Sequence, residues 1–137
     1  MHVIIMGCSR TGAQLAAMLD SEGLQVTILD LQQGAFRLLP NTFQGTAMVG
    51  DGTDADVLRR AGIEEAEAFI AVTQDENRNI MAAQIAQHLF RVPRVFCRIH
   101  DPEREELYRS LGMHTINPPR LAAQQLRDLV LGSEAFA

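Results

Sequence analysis

The chain has 137 residues, a length typical of one domain with a core of its own. Its net charge of −5 argues against nucleic-acid binding, because proteins bind phosphate backbones through basic surfaces. All twelve basic residues are arginines, and the absence of lysine excludes a Walker-type phosphate loop and Schiff-base chemistry.

The hydrophobic periodicity predicts strands and helices in alternation. The predicted strands are His2–Met6, Gln25–Leu29, Ala47–Val49, Ala68–Val72, Val95–Ile99 and Thr115–Ile116. The predicted helices are Ala13–Ser21, Gln33–Leu39, Asp54–Ala61 with Thr53 as its N-cap, 75–90, Pro102–Leu111, and a last helix beginning at Pro118-Pro119. Because crossovers between parallel strands are right-handed, alternating strands and helices fold into one parallel sheet with helices on both faces. We therefore predict a single α/β domain over residues 1–137, a Rossmann-like doubly wound six-stranded sheet in the order 3-2-1-4-5-6.

Two of the predicted helices carry an apolar stripe. In the helix over 75–90 the stripe consists of Met81, Ile85 and Leu89 with Ala82 and Ala86. In the last helix it consists of Ala122, Leu126, Leu129 and Val130. The second stripe suits either the core or a contact between subunits.

The first strand leads into a glycine turn that is typical of phosphate-binding loops. Gly7 permits a tight turn and Gly12 permits close packing of the following helix, whose free N–H groups favour an anion. Asp30 ends the second strand, eighteen residues after Gly12, where a carboxylate can accept from both ribose hydroxyls and repels a 2′-phosphate. The pattern predicts an adenine ligand other than NADP.

Ser9 departs from this pattern, because it occupies the middle position of G-x-G-x-x-G. Its β-carbon and hydroxyl either hinder the approach of a phosphate or add a hydrogen bond to it. The alternative is a Rossmann-like dimerisation module that has lost its nucleotide site. Cys8, in the same loop at the start of a helix, is expected to have a lowered thiol pKa or to serve as a small packing residue.

Beyond the glycine loop, a set of motifs runs through nearly the whole chain. They are Val3-Ile4-Ile5-Met6, Gly7 to Ala13, Asp30, Val49-Gly50-Asp51-Gly52-Thr53-Asp54, Leu58 to Ile63, Val72-Thr73, Asn79, Arg98 and Asn117-Pro118. In these motifs the sequence resembles the RCK N-terminal domain, also called the KTN or TrkA N-terminal domain, of potassium channel and transporter regulators. The block from Gly50 to Ile63 is the most specific of them, because generic dehydrogenases have no counterpart to it.

The resemblance implies that the carboxyl edge of the sheet binds NAD(H) or ATP, ADP or AMP. The residues it assigns to the ligand are Gly7, Cys8, Ser9, Arg10, Thr11 and Gly12 for the phosphates, Asp30 and Leu31 for the ribose, Asp51, Gly52 and Thr53 for the adenine, and Thr73 and Arg98 for the remaining phosphate or second ribose. Arg98 lies within an apolar strand, so its guanidinium is expected to meet a carboxylate or a phosphate.

The resemblance also implies a regulatory role without catalysis. Ligand exchange would change the geometry of a homodimer or ring, held through the last helix at Pro119–Leu131, and so gate a membrane-embedded potassium channel or transporter. We therefore expect a cytoplasmic domain that is held at the inner face of the cell membrane by its partner and is not itself inserted. We also expect it to lack the C-terminal domain that commonly follows in the family. Pro119 stands where the family often has a glutamate that takes part in a divalent-ion site.

Two further expectations come from the residues themselves. The four histidines have no ligand spacing, so no metal site is predicted. An NAD-dependent oxidoreductase, or a cofactor domain of one, is the alternative from another class. It would need a general acid or base beside the nicotinamide, and neither a lysine nor a histidine follows the glycine loop at the edge of the sheet.

Overall fold

The computed structural model describes residues 1–132 of the chain. Its strands are β1 (His2–Met6), β2 (Gln25–Asp30), β3 (Thr46–Val49), β4 (Ala68–Ala71), β5 (Arg94–Arg98) and β6 (His114–Ile116). Its α-helices are α1 (Arg10–Ser21), α2 (Ala55–Arg60), α3 (Glu76–Gln84), α4 (Pro102–Ser110) and α5 (Pro118–Val130). All strand pairs are parallel and their order is β3-β2-β1-β4-β5-β6, which confirms the predicted fold.

The core lies on both faces of the sheet, with β1 at its centre. Alternate residues of β1 point to opposite faces, so Val3 and Ile5 pack on the side of α1 while Ile4 and Met6 pack on the side of α2 and α3. Ile5 is in register with Ile28 of β2 and Ile70 of β4. Because both faces are covered, these central strands are continuous apolar runs rather than alternating ones.

The crossovers after β2 and β3 refine the prediction and correct it at one residue. The short helix predicted after β2 is a 3₁₀-helix over Gln33–Leu38, and none of its residues is buried. The N-cap of α2 is Asp54, whose side chain accepts from the amide of Asp56, so the assignment of Thr53 as N-cap was wrong. The reason is that both the amide and the hydroxyl of Thr53 donate to Asp51, which closes a turn one residue earlier.

Helix α3 continues into a π-helical turn at Ile85–Leu89, and the stripe that faces the sheet is only partly the predicted one. Besides Ile80, its buried residues follow i, i+3, i+4 and i+7 spacing, at Asn79, Ala82, Ala83 and Ala86, and two of these alanines, Ala82 and Ala86, were predicted. The small alanines allow the helix to lie close to the sheet. Met81 and Leu89 are more than half exposed, so their place in the predicted stripe was wrong, whereas Ile85 packs against the core.

Helix α5 buries none of its residues against residues 1–132. Leu126, at 62% exposure, and Leu129, at 47%, lie uncovered on it, and Leu121 is equally open. The start of the helix is bonded to the rest of the domain. There the Asn117 side chain caps it by accepting from the amide of Arg120, and the Arg120 guanidinium lies 2.7 Å from the buried carboxylate of Glu105 on α4.

Candidate functional site

A cavity of about 310 Å³ opens at the carboxyl edge of the sheet, at the switch point where the segments that follow the neighbouring strands β1 and β4 cross to opposite faces. Its walls include four residues that the sequence analysis assigned to the ligand, namely Gly7, Asp30, Leu31 and Thr73. In doubly wound sheets this switch point is the place where crossovers leave a crevice. The structure therefore brings the predicted glycine turn, the acidic end of β2 and the loop after β4 to one site.

The glycine turn has the close contacts that were expected of it. Gly7 has a φ of +111°, and a β-carbon there would lie 2.8 Å from the amide nitrogen of Thr73. A β-carbon at Gly12 would overlap the carbonyl oxygen of Gly7. Any larger residue at these two positions would push α1 away from the sheet and open the turn.

Ser9 is the N-cap of α1, a role that the sequence analysis did not foresee. Its φ of −77° needs no glycine, its hydroxyl accepts from the Gly12 amide, and the same hydroxyl donates to the carbonyl of Val72. The hydroxyl thus joins α1 to the end of β4. The exposed first-turn residues Arg10 and Thr11 have N–H groups without intrahelical acceptors, so they are available to an anion.

The Asp30 carboxylate is held by two backbone amides. Oδ2 accepts from the Cys8 amide and Oδ1 from the Gln32 amide, both at 2.8 Å. These bonds tie the end of β2 to the glycine turn and fix the carboxylate at the wall of the cavity. Each oxygen keeps a further lone pair for a hydroxyl donor.

The Cys8 thiol does not have the lowered pKa expected at the start of a helix. Burial raises its pKa, since the side chain is only 3% exposed, and the negative charge of Asp30 raises it further. Cys8 packs with the apolar residues beneath α1. Of the two readings of this residue, the structure supports the packing residue.

The loop after β3 carries an ion pair that reaches across to α3. Asp51 Oδ1 accepts from the amide and the hydroxyl of Thr53, at 2.9 and 2.6 Å, and from Nη2 of Arg78 at 2.9 Å. The hydrogen bonds from Thr53 and then the Arg78 guanidinium hold the pKa of Asp51 below its ordinary value. Gly52 is buried against Met6, and a β-carbon there would overlap the Met6 sulfur, so the glycine lets the loop pack close to β1.

A buried amide side chain fixes the loop after β4. Asn79 is 1% exposed, and its Oδ1 accepts from the amide and the hydroxyl of Thr73, at 2.9 and 2.6 Å. Its Nδ2 donates to the carbonyl oxygens of Thr73 and Arg98, at 3.0 and 3.3 Å. The one side chain therefore joins the ends of β4 and β5 beside the cavity.

Arg98 lies at the end of β5, away from the walls of the 310 Å³ cavity. Its Nε is buried, and no acceptor for it exists among residues 1–132. The carboxylate that could have paired with it is therefore absent from the described part of the chain. An orphaned guanidinium N–H of this kind fits an anionic group on a ligand.

Two residues of the site were missed at the sequence level. Arg78 lines the cavity. The sequence feature that could have pointed to it is a basic residue in the first turn of a helix, where the helix dipole opposes positive charge. Asn79 belongs to the family motifs but was given no role. Its signal was a polar residue on the sheet-facing stripe of α3.

Residues 1–132 contain neither a metal-binding cluster nor a membrane-spanning helix. No group of three His, Cys, Asp or Glu side chains lies close enough together to hold a metal ion there. None of the helices in that range is both long enough and apolar enough to cross a membrane.

A doubly wound parallel sheet with a glycine turn and an acidic strand end at its switch point defines a Rossmann-type domain. The comparison with known families is more specific. The family model of the TrkA-N domain matches residues 3–119, so the chain belongs to that family.

Similar proteins agree with this assignment. The Trk system potassium uptake protein TrkA of Streptomyces coelicolor is 44% identical over 135 residues, which cover 98% of this chain and 60% of that protein. The GsuK channel bound to NAD is 26% identical with a TM-score of 0.79, covering 98% of this chain and 24% of that one. GsuK bound to ADP is also 26% identical, with a TM-score of 0.78, covering 97% and 34%. The chain thus spans about three-fifths of the length of the TrkA relative.

Proposed function

We propose that this chain is a nucleotide-sensing regulatory domain of a potassium uptake system, and that it binds NAD(H) or ATP, ADP or AMP at the glycine loop. The observation that carries the proposal is the Asp30 carboxylate, fixed by the amides of Cys8 and Gln32 at the wall of the cavity. A carboxylate held in this way is suited to accept from two ribose hydroxyls. Support for the ligand class comes from the GsuK structures, which contain NAD and ADP.

The phosphates would lie between the start of α1 and the end of β5. The amides of Arg10 and Thr11 are available there, and the Arg10 guanidinium is exposed beside them. The unpartnered Nε of Arg98 would supply a further donor, and Thr73 lies between the two. NADP is a poor fit, because its 2′-phosphate would lie against the Asp30 carboxylate.

The domain would act through shape rather than chemistry. Its relatives are named as potassium uptake proteins, and the matching GsuK chain is a channel. We infer a membrane-embedded potassium channel or transporter as the partner, with this domain on the cytoplasmic side. Nucleotide exchange at the cavity would alter the loops after β2, β3 and β4 and so the geometry of the assembly.

The assembly would be a homodimer or a larger ring held through α5, within Pro119–Leu131. A cavity of about 390 Å³ with almost entirely apolar walls lies beside α1, over the open face of β4 and β5. Its floor includes Ile70 and Phe96. The leucines of α5 are exposed in the single chain, so the α5 helix of a second copy is the natural cover for such a surface.

The test is a thermal-denaturation panel with NAD, NADH, NADPH, ATP, ADP and AMP. A ligand at about 100 times its dissociation constant stabilises the native state by roughly 2.7 kcal/mol, which shifts the melting temperature visibly in a domain of this size. We expect stabilisation by one or more of the adenine ligands and none by NADPH. If all six ligands leave the melting temperature unchanged, the nucleotide site is wrong and the dimerisation module takes its place.

A further inference from the structure

The ion pair between Arg78 and Asp51 has no evident purpose in the fold. The turn after β3 is already closed by the two bonds from Thr53 to Asp51 Oδ1. Arg78 lies in the first turn of α3, where the helix dipole disfavours a positive charge. The two side chains are 27% and 41% exposed, and an ion pair of that exposure contributes little to stability.

The pair lies at the side of the cavity where the family resemblance places the adenine: Arg78 lines the cavity, and Asp51 is bonded to Arg78 just beyond the lining. Val49 is in register with Asp30, and the Gly50 amide donates to the Asp30 carbonyl at 3.0 Å, so Asp51 begins its loop beside the residue assigned to the ribose. Neighbouring strands are about 4.8 Å apart, so a ligand whose ribose is bound at the end of β2 would have its base near the end of β3. Gly50 and Arg78 both line the cavity.

The bonding of Asp51 is one-sided. Both donors of Thr53 and the Arg78 guanidinium converge on Oδ1, and within residues 1–132 no hydrogen-bond donor reaches Oδ2. The carboxylate is thus held by one oxygen, and the other is left as an acceptor. The 6-amino group of adenine is a donor, whereas the 6-oxo group of hypoxanthine or guanine is an acceptor that Oδ2 would repel.

We propose that Arg78 is a specificity-determining residue, which holds Asp51 by Oδ1 so that Oδ2 selects a 6-aminopurine over a 6-oxopurine. This inference rests on the proposed nucleotide site. Arg78 acts through Asp51 and is in this sense a positioning residue. Its guanidinium also forms a wall of the cavity against which a base can stack.

The test compares ligands that differ only at position 6 of the purine, namely ADP with IDP, and NAD with nicotinamide hypoxanthine dinucleotide. Dissociation constants are measured by titration calorimetry on the whole chain. We expect wild type to prefer the adenine member of a pair by roughly tenfold or more, since the 6-oxo member sets its oxygen against the Asp51 carboxylate, acceptor against acceptor. In Arg78→Ala the preference should fall to about threefold or less, and Arg78→Lys should restore part of it.

A second pair of variants tests the positioning itself. In Asp51→Asn, the carbonyl oxygen should take the place of Oδ1 under Thr53 and Arg78, leaving the amide nitrogen to donate, so the preference should reverse toward the 6-oxopurine. In Asp51→Asn combined with Arg78→Ala the amide is free to turn, and the reversal should disappear. Circular dichroism of each variant checks that it is folded.

The matched control is Arg59→Ala, which breaks an exposed arginine–aspartate pair of the same 2.9 Å length, with Asp56 on α2. It should leave the preference unchanged. The inference is wrong if wild type binds both members of a pair equally, if Arg78→Ala keeps the wild-type preference, or if it weakens both members by one factor, as a phosphate contact would. If wild type binds neither ADP nor NAD, the proposed function itself has failed.

Discussion

The two edges of the sheet both carry cavities, and the larger one is not the candidate site. A cavity of about 590 Å³ lies at the amino edge, lined by His2, Arg60 and Glu65 among others, against about 310 Å³ at the carboxyl edge. In a parallel sheet with helical crossovers, the helix N-termini meet the carboxyl edge and bring free N–H groups to it. At the amino edge the helices end, and mixed side-chain charges face each other. The direction of the chain, more than the volume of a cavity, therefore defines where an anionic ligand fits.

The largest expected effect of a single substitution is that of Asn79→Ala, at the carboxyl edge. It removes the partners of the Thr73 amide and of the Arg98 carbonyl, and each buried group left unpaired costs about 1–3 kcal/mol. We expect the free energy of unfolding to fall by about 2–4 kcal/mol in urea denaturation, together with the loss of nucleotide stabilisation.

The control for this substitution is Asn77→Ala, two residues earlier on the exposed side of α3. Asn77 Oδ1 accepts from Arg104 Nη2 in an exposed hydrogen bond that water can replace, so the control should change the free energy of unfolding by less than about 1 kcal/mol. Equal effects of the two variants would mean that the buried bonds of Asn79 do not hold the site together.

The next effect separates the two edges by ligand binding. Asp30→Ala should weaken the binding of NAD or ADP by roughly tenfold or more, about 1.4 kcal/mol, because the ribose loses its charged acceptor. His2→Ala, at the amino edge, should leave the dissociation constant within about twofold. Titration calorimetry of both variants measures the contrast. If Asp30→Ala binds as tightly as wild type, the carboxyl edge is not the binding edge.

A smaller effect is expected at Ser9. Ser9→Ala removes the N-cap of α1 and the bond to Val72, which should lower the free energy of unfolding by about 1 kcal/mol. Ser9→Gly should lower it less and should bind nucleotide at least as tightly as wild type. Chemical denaturation and the thermal panel measure both quantities. Much tighter binding by Ser9→Gly would show that the serine hinders the ligand.

The smallest effect concerns the amino edge and pH. Burial lowers the pKa of His2, whose Nε2 lies 3.0 Å from Thr27 Oγ1. The unfolded chain then binds a proton more readily than the folded one, so this contribution to stability is present above pH 6.5 and is lost as the pH falls through that value toward the lower folded pKa. In His2→Gln the melting temperature should change less between pH 7.5 and pH 5.5 than it does in the wild type. An unchanged pH profile would contradict the assignment.

The fold was predictable because it depends on local patterns. Each strand is a short apolar run, and each crossover has its own helix signal. Because crossovers between parallel strands are right-handed, few arrangements of these elements are possible. Gly7 and Asp30 were found for the same reason, since a turn and a strand end can be read within a few residues. Their roles in binding stay predictions.

What the sequence did not reveal depends on distant partners. Arg78 meets Asp51 across 27 residues, and only the folded sheet brings the two loops together. In α3 the predicted stripe combined Ala82 and Ala86 with larger residues, but the sheet accepts only the alanines at full burial and leaves Met81 and Leu89 more than half exposed. The leucines of α5 read equally well as core or contact, and the pattern alone holds no information on which surface covers them.

The burial of Cys8 gives the glycine turn a chemical reporter. A thiol 3% exposed, with a raised pKa, reacts with disulfide reagents only when its surroundings open, so the labelling rate measures how often the turn leaves its closed form. Cys97, whose pKa burial raises to about 12, lies in β5 and reports the opening of the sheet. The ratio of the two labelling rates would follow the opening of the turn separately from the opening of the rest of the domain, and no cysteine would have to be introduced.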